Sequence, residues 1–180
     1  MNGAELLKAV GYWRPSEGML RYMREHGYGG RRLSPAEIAA RADAPANPLP
    51  NPAWLVWNGW DPAEQRGVVA YLRAGQEWIQ FRGWSYCRFN CGIAPSALGD
   101  RDLTDGVWVW PEGLAHYVHV HSVRLPDEFI DHMRSRGWRV PAEPITRWAD
   151  RAVGERPQVD GTFWTEWARR VVFPDSVSRC

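Results

Sequence analysis

Apolar residues recur along this chain at helical spacing in some stretches and bunch into short aromatic runs in others, with proline and glycine between them. Residues 16–26 read as a first helix, with Gly27 just past its end. Ser34-Pro35-Ala36-Glu37 is a capping box with proline at the first helical position, which predicts a second helix to about residue 42. Residues 43–53 contain Pro45, Pro48, Pro50 and Pro52 and cannot form regular helix or sheet. Asp61-Pro62-Ala63-Glu64 is another capping box, opening a helix that Gly75 closes. Residues 76–90 are aromatic and β-prone and predict one or two strands. Thr104-Asp105-Gly106 signals a turn before a short strand over 107–110. Pro111 and Pro126 then start a pair of helices, the second ending at Gly137, and a short helix is expected near 144–152. These elements predict an α+β fold, a small antiparallel sheet packed against helix pairs. Its parts are a helical N-terminal segment (1–43), a proline-rich linker (44–53) and a main domain (54–180).

One pattern occurs twice. Residues 17–28 and 112–123 share Glu, Gly, Tyr and a final His at one constant offset, and each runs on into Arg-Leu and a proline-started acidic segment. On a helical wheel with Leu114 at zero, Val118 lies about 40° away, His121 about 20° on the other side and Tyr117 about 60°. His116 and His119 fall on the polar face, where the first copy carries Arg21 and Arg24. His26 and His121 therefore read as structural histidines in a last helical turn, where they can meet free carbonyls.

Composition narrows the classes. The 180 residues are 44% hydrophobic and 24% charged, as in globular domains. No stretch approaches a membrane span, and no signal-peptide layout opens the chain, so the expectation is a cytoplasmic protein with reduced thiols. Of the 22 basic residues only Lys8 is a lysine, but acidic residues interleave and the net charge is +1. With no basic face evident, nucleic acid is an unlikely partner. Twelve tryptophans exceed what one small core needs, which predicts an exposed aromatic surface formed by Trp54, Trp57, Trp60, Trp108 and Trp110.

Metal chemistry is one candidate. Cys87, Cys91, His116 and His121 offer two thiols and two imidazoles, a donor set suited to tetrahedral zinc. Two features oppose it. Three residues separate the cysteines where zinc knuckles usually have two, and His116 and His121 diverge by about 140° on a regular helix. His132 is an alternative fourth ligand, and the plain reading of both cysteines is two small core residues. Asp105 and Glu112 flank the 107–110 strand and would form an acid–base pair if both reached one cleft. A turn role for Asp105 and a helix-start role for Glu112 explain them structurally. No nucleotide-binding glycine motif and no serine-nucleophile motif occurs.

The blocks Cys-Arg-Phe-Asn-Cys-Gly (87–92), Leu-Thr-Asp-Gly-Val-Trp-Val-Trp-Pro-Glu-Gly-Leu-Ala-His-Tyr-Val (103–118) and Val-Arg-Leu-Pro-Asp-Glu-Phe (123–129) resemble those of a group of small uncharacterised bacterial proteins. The resemblance spans roughly residues 60–133 and implies no function. From the residues themselves, the leading expectation is a non-catalytic module, of adaptor or immunity type, that binds another protein through tryptophan and arginine. The alternative is an enzyme or small-molecule binder with a Trp-lined pocket near Asp105 and Glu112. Neither requires a cofactor, and zinc is compatible with both.

Overall fold

The computed structural model describes residues 6–15, 20–21, 25, 34–37, 48–152 and 155–174. Five strands form one mixed sheet: β1 (Leu6–Ala9), β2 (Gln76–Gln80), β3 (Arg101–Thr104), β4 (Trp108–Pro111) and β5 (Gln158–Asp160), in the order β2-β3-β4-β1-β5. β2, β3 and β4 are antiparallel neighbours, as expected, while β1 runs parallel to both β4 and β5. Packed with it are helices α1 (Pro62–Arg73), α2 (Leu114–His121), α3 (Asp127–Ser135) and α4 (Thr162–Val172), which together with the sheet make an α+β fold. Among the described residues, no helix is long and apolar enough to cross a membrane.

Local signals account for several boundaries. Asp61 caps α1, accepting from the Ala63 and Glu64 amides at 3.0 and 2.9 Å. The Ser34–Glu37 capping box forms reciprocally, Glu37 N to Ser34 Oγ at 3.2 Å and Ser34 N to Glu37 Oε2 at 2.8 Å. The linker's end, 52–55, makes a short 3-10 turn with Pro52 and Leu55 buried. Other elements differ from expectation. Leu6–Ala9 falls within the segment expected to be helical but is an inner strand, burying Leu7 and Ala9. Residues 81–90 are loop rather than strand. Near 144–152 the structure has a 3-10 turn, Trp148–Asp150, and Ile145 N donates to Gln76 Oε1 at 2.8 Å, which ties this segment to β2. Most of residues 17–28, His26 included, lie outside the described residues, as does Cys180.

The sheet buries its two faces differently. Leu103, Trp108 and Trp110 pack under the helices with Tyr71 and Leu72 of α1, Leu114 and Val118 of α2, Phe129 and Met133 of α3, and Trp164 of α4. Leu7, Ala9, Trp78 and Val109 form a smaller cluster on the opposite face, topped by Trp148. Covering on both sides buries three successive β4 residues, Trp108, Val109 and Trp110. Trp108 and Trp110 therefore belong to the core and not to an exposed surface: they are 2% and 0% accessible, and the Trp110 indole donates to Leu72 O at 3.1 Å.

The β3–β4 turn is built on Asp105, 2% exposed. Its Oδ1 accepts the Val107 and Trp108 amides at 2.9 and 2.8 Å, and its Oδ2 accepts Tyr71 Oη at 2.7 Å. His132 Nε2 lies 2.8 Å from the same Oδ2. Removing this carboxylate strands four buried or half-buried donors at once. Asp105→Ala is expected to cost about 3–5 kcal/mol in urea unfolding and Tyr71→Phe about 1 kcal/mol. An Asp105→Ala midpoint matching wild type would show that the turn does not depend on this network.

Candidate metal centre

The loop after β2 carries Cys87 and Cys91, and α2 carries His116 and His121. Two aromatic contacts fasten loop to helix. Arg88 N donates to Tyr117 Oη at 3.0 Å, and the Phe89 ring stacks on the His121 ring with centroids 4.1 Å apart and planes 14° apart. The loop is also tied to the segment following β1, because Arg88 Nε donates to Arg14 O at 3.1 Å. Within the loop, Asn90 N bonds Cys87 O at 3.2 Å, while Asn90 (φ 51°) and Gly92 (φ 80°) take left-handed conformations. Those turns on either side of Cys91 fold the three-residue spacing back on itself.

The four side chains converge. Cys87 Sγ is 3.3 Å from His121 Nε2, Cys91 Sγ is 3.4 Å from His116 Nε2, and the two Nε2 atoms are 3.1 Å apart. All four ligand atoms lie within 4.8 Å of one another, so this group could hold a metal ion. Zinc bonds of about 2.0–2.1 Å to nitrogen and about 2.3 Å to sulfur imply tetrahedral edges of about 3.3–3.8 Å, and the three contacts of 3.3, 3.4 and 3.1 Å lie near that range. The angular objection from the wheel fails because it tracks Cβ directions. Nε2 is the far nitrogen of each ring, and His121 is the last residue of α2, before Ser122 at φ 51°. The rings meet off the helix end, centroids 4.9 Å apart. His132 is not part of this group; it is committed to Asp105.

The electrostatics favour the neutral imidazoles that ligate metals. Burial lowers the pKa of His116, with the neighbouring His121 and His119 charges adding to it, and burial lowers that of His121. Burial chiefly raises the Cys87 thiol above its ordinary value. Cys87 is buried while Cys91 is exposed.

The remaining candidates separate. Asp105 and Glu112 sit at opposite ends of β4, roughly 13 Å of strand apart, and share no cleft. Asp105 serves the turn. The Glu112 side chain packs across Gly99, whose φ of 74° and missing Cβ leave room for it, with Oε2 3.8 Å from Arg101 Nε. Of the expected surface tryptophans, Trp54 and Trp57 are exposed and Trp60 is half-buried. Trp54 stacks under the Arg14 guanidinium at 4.5 Å, and Trp57 meets Trp60 edge-on at 5.7 Å. Sequence reasoning missed the Tyr12–Asp102 pair, joined by a 2.7 Å hydrogen bond. Asp102 lies beside Arg101 in a four-residue strand, and nothing local in the sequence distinguishes the buried charge from the exposed one. No family model, curated protein or solved structure matches the chain.

In metal-free protein, Cys91 is expected to be alkylated by iodoacetamide well before Cys87, read by peptide mass spectrometry. Equal rates would contradict the burial of Cys87 against His121.

Proposed function

We propose that the chain is a zinc-stapled, non-catalytic module that binds another protein. The observation carrying this reading is the convergence of Cys87, Cys91, His116 and His121, with all ligand atoms within 4.8 Å. Two sulfurs and two nitrogens select zinc over oxygen-preferring cations. Four protein ligands complete a tetrahedron and leave no coordination position for water or substrate, which is the arrangement of a structural rather than a catalytic site. The ion would clamp the 87–91 loop to α2.

The segment leading into that clamp presents Phe81, Trp84 and Tyr86, which are 49, 59 and 54% exposed, around Arg82. Aromatic side chains and arginine supply most hot-spot energy at protein interfaces. Anchoring one end of the segment reduces the ordering cost of binding. These exposed side chains support a reading in which the interaction surface includes 81–86 in addition to Trp54 and Trp57.

Native mass spectrometry of the untagged protein is expected to show one zinc per chain, lost on chelation together with several degrees of melting temperature. Cys87→Ser and His121→Ala should each abolish zinc retention. Trp84→Ala should change neither zinc content nor melting, as a residue reserved for a partner. A clean apo mass after growth with added zinc would defeat the proposal.

A further inference from the structure

A cavity of about 400 Å³ opens on the sheet face opposite the helices, with Tyr12, Trp78, Phe81, Asp102, Trp148 and Trp164 in its walls. Strand alternation in β3 sends Leu103 under the helices and Asp102 to this face. Asp102 is the only carboxylate or basic side chain among the described residues lining the cavity. It is 9% exposed, and its Oδ2 accepts the Tyr12 hydroxyl at 2.7 Å. Its Oδ1 has no hydrogen-bond partner among the described residues. The residue is largely buried, yet Oδ1 is not among the fully buried unpartnered atoms, so it remains an accessible acceptor that a ligand's donor can reach. Two of the wall rings are already faced by the chain's own cations, Arg151 over Trp78 at 5.7 Å and Arg156 over Trp148 at 3.8 Å, so a ligand's charge has to be met by Asp102 while the remaining apolar walls take its body.

We propose that this cavity binds an organic cation, an ammonium or amidinium group on a planar apolar body, donating to Asp102 Oδ1. The Tyr12 hydroxyl holds the carboxylate in place, and the aromatic walls receive the body. On its other side Asp102 borders a cleft of about 540 Å³ whose charged lining is Arg82, Arg88, Asp100 and Arg101. Those arginines confine the ligand's positive end to the aromatic side. Burial raises the Asp102 carboxyl to about 6, against the smaller opposing effect of the Tyr12 hydrogen bond. Protonation therefore competes with the cation, and binding strengthens as pH rises through that value.

The test is titration of wild-type protein at pH 8 with benzamidine, phenethylamine and the neutral benzamide, followed by tryptophan fluorescence and amide chemical shifts. Saturable binding of the cations is expected, at least tenfold tighter than benzamide and about tenfold weaker at pH 5. Asp102→Asn, verified as folded by its melt, should lose that preference, while Tyr12→Phe should keep it. An acetyl-Gly-Arg-Gly-amide peptide distinguishes sources. Tighter binding of the peptide makes the natural cation a partner's side chain, and tighter binding of the free amines makes it a small molecule. Absence of saturable binding by any cation, or equal affinity for benzamide, overturns the proposal on wild-type protein alone.

Discussion

The Asp105 carboxylate fixes how two helices meet the turn of the sheet. It receives two backbone amides of its own turn, a tyrosine hydroxyl from α1 and lies against a histidine nitrogen from α3. A buried carboxylate is tolerable only when its acceptor sites are filled, and here they are filled from three separate parts of the chain. The packing of Trp108 against Phe129, with ring centroids 4.7 Å apart, follows from that registration. Beside it, α2 packs against α1 and is tied to it by Gln65 Nε2 donating to Val118 O at 2.8 Å. The Cys/His group takes its two histidines from α2 and its two cysteines from the loop fastened to that helix.

Two kinds of polar economy coexist in the molecule. Asp105 is saturated, and its environment leaves it nothing to offer a ligand. Asp102, on the neighbouring strand and the opposite face, accepts one hydroxyl and keeps an oxygen toward open space. The imidazoles of His116 and His121 are likewise half-used, turned toward two sulfurs and toward each other. Saturation marks the groups that hold the fold, and unfilled capacity marks those that can meet something else.

Legibility in the sequence followed the range of the interactions. The Asp61 and Ser34 caps, the Asp105-Gly106 turn and the apolar stripe of α2 depend on residues a few positions apart, and all could be read directly. Leu114, Tyr117 and Val118 are buried and His119 is exposed, as the wheel required. The four metal-ligating candidates were legible as donor types, but their convergence was not, since it depends on side-chain reach beyond a helix end. Strands β1, β3 and β5 are three or four residues long and show no alternation without a partner strand to define their faces. The α4 helix was hidden behind an Asp-Gly resembling the β3–β4 turn; Asp160 instead accepts the Thr162 amide at 2.9 Å at the start of that helix. The burial of Trp108 and Trp110 escaped for a related reason, because a strand covered on both faces has no polar side to alternate with.

The place of β1 in the sheet shapes how this chain can fold. It pairs on one side with β4, through Lys8 and Trp108, and on the other with β5, through Leu6 and Gln158. Both neighbours come much later in the chain, so their hydrogen bonds form only after very long loops have closed. Parallel, non-local pairing of this kind raises contact order and slows folding, whereas β2, β3 and β4 can assemble early as a local meander. During synthesis, β1 emerges well before either of the strands it pairs with. Until β5 leaves the ribosome, Leu7 and Ala9 have only one side of their slot, and that interval is when the nascent chain is most exposed to mispairing.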